Sequence, residues 1–187
     1  MNMARPSEVK RNEIIVRYVD GEQCLAWFGN VQFILSLQPP GPEFMRRIIS
    51  ELAALSHSVG RGTGSLLVIK ADAAPPSEEA RAYMRAELAR SSMLAAAQVV
   101  EGTGFRGAAM RSVLSMLQLA VRPPYPMKVF DNVVSAAHWL STELATRAGD
   151  APPMAELAAA AQEVRSRFLT RSMPPFSSGT PSGTRQK

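Results

Sequence analysis

The stretch MLAAAQVVEGTGFRGAAMRSVLSMLQLAV (Met93–Val121) reads as a strand, a tight turn and a helix. Met93–Val100 is apolar except for Gln98, the pattern of a strand covered on both faces. Gly102-Thr103-Gly104-Phe105-Arg106-Gly107 then breaks the strand. Phe105, Ala109, Val113, Met116, Leu117 and Ala120 recur at spacings close to the helical period, which predicts a helix with that row turned inward. A strand that leaves through a helix cannot pair with its successor as a hairpin, so the unit predicts a parallel crossover and an α/β fold.

Upstream, the chain begins differently. Glu13–Val19 alternates, with Ile14, Val16 and Tyr18 on one side and Ile15, Arg17 and Val19 on the other. Asp20-Gly21 offers the positive φ angles of a tight hairpin, so Gln23–Phe28 is predicted to return antiparallel. After Gly29-Asn30, Val31–Leu37 reads as a third strand or the start of a helix. Pro39, Pro40 and Pro42 end it. Phe44, Ile48, Leu52, Leu55 and Val59 form a helical stripe, and Ser65–Lys70 (SLLVIK) a buried strand. Gly60-Arg61-Gly62-Thr63-Gly64 between them reads as a flexible connection, without the Lys-Ser/Thr pair of a phosphate-binding loop. A second helix starts near Ser77, with Ala80, Met84 and Leu88 as its inward row.

Downstream, Met127–Phe130 is a short last strand, followed by a helix capped by Asp131 or Asn132, with Val133, Ala137, Leu140 and Leu144 inside. Beyond Gly149-Asp150-Ala151-Pro152-Pro153 another helix carries Met154, Leu157, Ala161, Val164 and Phe168 on one side. It is predicted either to pack on the domain or to dock on a partner. The prediction is a mixed α/β sheet: an antiparallel hairpin, then parallel strands joined by crossover helices. Its parts are a flexible N-terminus (1–11), the α/β domain (12–148), an accessory C-terminal helix (149–171) and a disordered tail (172–187).

The composition of the 187 residues, 46% hydrophobic and 20% charged, suits one globular domain. No apolar run reaches the roughly 20 residues that cross a bilayer, and MNMARPSEVKRNE lacks the apolar core of a signal peptide, so a cytoplasmic location is expected. The net charge of +5 comes from scattered basic residues with acids nearby, which does not favour nucleic acid as a partner. Cys24 is alone and reads as a small buried hydrophobe.

Chemistry has few candidates. Residues 102–107 fit G-x-G-x-x-G between a strand and a helix, where backbone N–H groups cradle phosphate, and Gly102, Gly104 and Arg106 are the candidate anion site. Yet a dinucleotide site is normally built by the first unit of such a sheet, and only one strand follows here. A tight turn is the simpler reading, and no cofactor is expected. His57, His138 and Cys24 form no metal-ligand spacing, and no nucleophile elbow or paired carboxylates point to catalysis.

EIIVRYVDGEQCLAWFG (13–29), GSLLVIKADAAPPSEEA (64–80) and MKVFDNVVSAAHWL (127–140), taken in this order, resemble the STAS/SpoIIAA-like group of anti-sigma-factor antagonists and their relatives. The resemblance implies a small cytosolic signalling or scaffolding module that acts through protein contacts, with regulation by serine phosphorylation at a helix start. Ser77 occupies that place, although Asp72-Ala73-Ala74-Pro75-Pro76-Ser77 stands where the family has an acidic-Ser-Ser/Thr-Gly string; as a plain residue Ser77 is an N-cap. The expected partner is a protein of unknown identity, with self-association as an option. The alternative is a nucleotide- or phosphate-binding enzyme built on the Gly102–Gly107 turn.

Overall fold

The computed structural model describes residues 13–38, 40–70, 78–88, 91–102, 104–121 and 123–172. Eleven elements follow in the order β1 (Ile15–Val19), β2 (Gln23–Phe28), β3 (Val31–Ser36), α1 (Pro42–Val59), β4 (Thr63–Lys70), α2 (Glu78–Leu88), β5 (Met93–Glu101), α3 (Gly104–Val121), β6 (Met127–Phe130), α4 (Val133–Ala148) and α5 (Met154–Ser172). They build one six-stranded sheet whose spatial order is the chain order, β1 to β6. β1, β2 and β3 are antiparallel, and β3 to β6 are parallel. The mixed α/β fold expected from the alternation of strands and helices is the fold observed.

Because the order never reverses between β3 and β6, right-handed crossovers carry α1, α2 and α3 to the same face. Leu25 and Ile34 meet Phe44, Met45 and Ile48 of α1 there, and Leu52 joins Met93, Ala96 and Tyr125. The opposite face is covered by the last two helices. α4 lies on β4, β5 and β6, while α5 packs on α4 and over β2 and β3. Phe33, Leu35, Leu66, Ala97 and Val99 form one buried cluster with Leu140, Leu144, Leu157, Val164 and Phe168. Thus α5 packs on the sheet, the first of the two roles its periodicity allowed; only Met154, 49% exposed, departs from the inward row.

Three local expectations are corrected. Positive φ does not close the first hairpin: Gly21 is not among the positive-φ glycines. Asp20 closes it instead, its Oδ1 accepting from the N–H groups of Glu22 and Gln23 at 2.7 Å each and its Oδ2 from the Tyr18 hydroxyl at 2.5 Å. An Asx turn supplies the bend that glycine was expected to supply. In β1 a bulge between Val16 and Tyr18 breaks the two-residue alternation, so Tyr18, not grouped with Ile14 and Val16, turns to α1 and stacks on Phe44 at 5.8 Å. The glycine-rich run before β4 is no flexible connection. Gly60 caps α1 at φ 63°, a Cβ on Gly62 would overlap the Leu94 side chain, and one on Gly64 would lie 2.9 Å from Leu144 Cδ1. Thr63 and Gly64 are strand residues, paired with Met93 and Ala95 of β5, and Leu140 and Leu144 of α4 close over Gly64.

Burial alone would raise the Asp20 carboxyl pKa, but the hydrogen bonds from Tyr18, Glu22 and Gln23 outweigh it and hold the group below its ordinary value. A depressed carboxyl contributes stability that is present above its unfolded pKa and lost as the pH falls through the folded one. Asp20→Ala is therefore expected to lower stability at pH 7 by about 1 kcal/mol, with the difference from wild type shrinking below pH 4. Urea unfolding at pH 7 and pH 3 measures it; an equal loss at both would assign the effect to something other than the carboxylate.

Asn30 joins three loops. Although fully buried, its Nδ2 donates to the carbonyls of Gly62 at 3.1 Å and Asp150 at 3.4 Å, and its own carbonyl accepts from Gly64 N–H at 2.9 Å. Arg61 pairs with Asp150 across the same junction. Nearby, the buried Ser141 hydroxyl donates to the Pro152 carbonyl at 2.7 Å, fixing the link from α4 to α5.

Candidate functional site

The turn from β5 into α3 owes its shape to glycine. Gly102 has φ 153° and Gly104 φ 74°, backbone conformations that cost a residue with a Cβ. Gly107, one turn into α3, is buried, and a Cβ on it would overlap the Gly102 carbonyl oxygen and stand 3.0 Å from the carbonyl carbon. Two glycines bend the chain and the third lets the helix lie against the strand end. Gly104 itself is exposed, with nothing within 4 Å of a Cβ position. Neither Thr103 nor the Arg106 side chain belongs to the described parts, nor do the side chains of Ala80, Met84 and Leu88, the predicted inward row of α2; Ser77 and the tail 173–187 lie outside the described residues.

The cation that the described residues bring to this turn is Arg111. Its Nη1 is buried, lacks a hydrogen-bond partner, and is 3.1 Å from the Cβ position of Gly107. The spacing signal was available in the sequence, since residues 107 and 111 are four apart and share one face of a helix. Against an anion stands Glu101 at the end of β5, half-buried and paired with Arg165 of α5.

Gly107 also decides which side of α3 faces inward. Ala109, Met110, Arg111 and Leu114 are half-buried around it. The row expected to be inside is largely outside: Phe105 is 87% exposed, Met116 62% and Val113 42%, and the side chains of Leu117 and Ala120 lie outside the described parts. A helix turns about 100° per residue, so anchoring at Gly107 swings the larger apolar row to solvent. The exposed residues described on α3 are Gly104, Phe105, Ala108, Ser112, Val113, Ser115 and Met116, and none of them carries a charge.

Open parallel sheets bind ligands outside the C-terminal ends of their strands, at a point where the strand order reverses. Here the order of β3 to β6 does not reverse. The C-terminal half of α5 covers the ends of β3, β4 and β5: Arg165, Phe168 and Leu169 close over Leu35, Ser36, Lys70 and Glu101, leaving about 10 Å³. That space is about one water molecule.

Of the remaining candidates, Cys24 is buried, and His57 and His138 are exposed on α1 and α4. Among the described residues no three His, Cys, Asp or Glu side chains stand together as a metal site, and no helix is long and apolar enough to cross a membrane. Comparison of the chain with protein-family models, with curated proteins and with solved structures finds no match.

Proposed function

We propose that the chain is a non-catalytic cytosolic signalling or scaffolding module of STAS-like character, acting through protein contacts, with α3 as its contact helix. The observation that carries this reading is the outer side of α3, where Phe105, Val113 and Met116 are exposed and the other exposed residues described, Gly104, Ala108, Ser112 and Ser115, are small and uncharged. Single exposed apolar residues are ordinary on a protein surface; large apolar residues grouped on one helix mark an interaction site. The plugged strand ends add support, because the place where such a sheet holds a small molecule is filled by its own α5.

A second reading rests on Arg111. Its unpartnered Nη1 beside the Gly102–Gly107 turn is what a phosphate would find, and a nucleotide- or phosphate-binding enzyme would use it. The two readings predict different losses. Phe105→Glu with Met116→Glu changes solvent-facing residues, so stability is expected to stay within about 0.5 kcal/mol of wild type while partner retention is lost. On the second reading, inorganic phosphate or a nucleotide at a hundred times its dissociation constant stabilises the wild type by about 2.7 kcal/mol, and Arg111→Gln abolishes the shift. Thermal scans with and without phosphate separate them; the contact reading predicts no shift.

A further inference from the structure

α5 packs over β2 and β3, and beside its outer flank, toward the start of β1, lies an open groove of about 540 Å³. Its floor is apolar, formed by Ile14, Phe28 and Ala160. Its rim is acidic: Glu13, at the entrance to β1, and Glu156 and Glu163 of α5. Glu163 is already paired with Arg167. Glu13 and Glu156 have no ion-pair or hydrogen-bond partner among the described residues. This acidic rim belongs to a chain whose net charge is +5, so it stands out against its background.

We propose that this groove binds a short basic segment of a partner polypeptide, apolar side chains on Ile14, Phe28 and Ala160 and lysine or arginine against Glu13 and Glu156. Charge complementarity selects a cation, because two exposed carboxylates with no cation beside them among the described residues repel phosphate and acidic peptides alike. The dimensions select a peptide over a small amine. From Glu156 to Arg167 the groove follows α5 for eleven residues, about 16 Å at 1.5 Å per residue, which matches about five residues of extended chain. The carboxylates set register and on-rate, and the apolar floor, where Phe28 and Ala160 are each 4% exposed, adds a shallow contact. This surface is separate from α3, which the sheet places on its other face.

The test uses the full chain and a fluorescein-labelled hexapeptide of alternating lysine and leucine, followed by anisotropy at low salt. Binding is expected, falling at least tenfold for Glu13→Gln/Glu156→Gln and for a peptide with serine in place of leucine. Glu78→Gln/Glu79→Gln, which removes two exposed carboxylates on α2, is expected to bind like wild type. The Gln variants remove only solvent-exposed charges, and thermal unfolding confirms that they fold. Absence of binding, equal affinity for Glu13→Gln/Glu156→Gln, or a loss on Phe105→Glu/Met116→Glu instead would overturn the proposal; the last would place the peptide on α3.

Discussion

Asn30→Asp is expected to destabilise the protein by about 3–5 kcal/mol at pH 7, the cost of a buried charge without a partner. The substitution replaces the Nδ2 donor that reaches the Gly62 and Asp150 carbonyls with a carboxylate oxygen facing the same two acceptors. With no exposure at this site, water cannot screen the conflict. The carboxyl would be forced to keep its proton, so its folded pKa would rise above the unfolded value. For an acid raised in the folded state, stability falls as the pH rises above the unfolded pKa. Hence the loss should be smaller at pH 5 than at pH 8. Asn30→Ala, which leaves the two carbonyls without this donor but adds no charge, should cost about 1–3 kcal/mol with no such pH dependence. Urea unfolding of both variants across this range measures the difference. Equal costs at pH 8 would show that a charge at this position carries no burial penalty, and so would contradict a site sealed from water.

Gly107→Ala is the second large effect, about 2–3 kcal/mol, because the new methyl meets the Gly102 backbone carbonyl rather than a side chain that can swing away. Gly104→Ala, in open space at φ 74°, should cost only the left-handed backbone strain, about 1–2 kcal/mol. A phosphate cradle would make Gly104 the more sensitive of the two for function. A packing device makes Gly107 the more sensitive for stability, and guanidinium denaturation of the pair decides the order.

Legibility in the sequence followed how strongly each residue's neighbours along the chain determine its place. The parallel strands were readable because Leu66–Ile69, and Met93–Val100 apart from Gln98, are apolar without alternation, the pattern of a strand buried on both faces. α4 was readable for the same kind of reason: Asn132 caps it with a 2.8 Å bond from Ser135 N–H, and its inward residues repeat at the helical period. The rotation of α3 was not readable. The periodicity points to the larger apolar row, but the choice between the rows is made by the contact of Gly107 with Gly102, a tertiary approach that no periodicity encodes. Asn30 read only as a turn residue; that its side chain reaches Asp150, 120 positions away, depends on α5 folding back over β2 and β3. Of the candidate anion site, Gly102 and Gly104 were legible as a turn. Arg111 was overlooked in favour of Arg106, which the linear motif contains.

On the proposed reading the protein works through the outer side of α3 and not through the chemistry of the turn beneath it. The most direct measurement is quantitative capture from the cells that make the chain, with wild type, Phe105→Glu/Met116→Glu and Arg111→Gln as parallel baits and sedimentation velocity to register a second copy. At least one protein, or a second copy of the chain, is expected to be held by wild type and Arg111→Gln and lost from Phe105→Glu/Met116→Glu. Retention by Phe105→Glu/Met116→Glu of everything that wild type holds would contradict it.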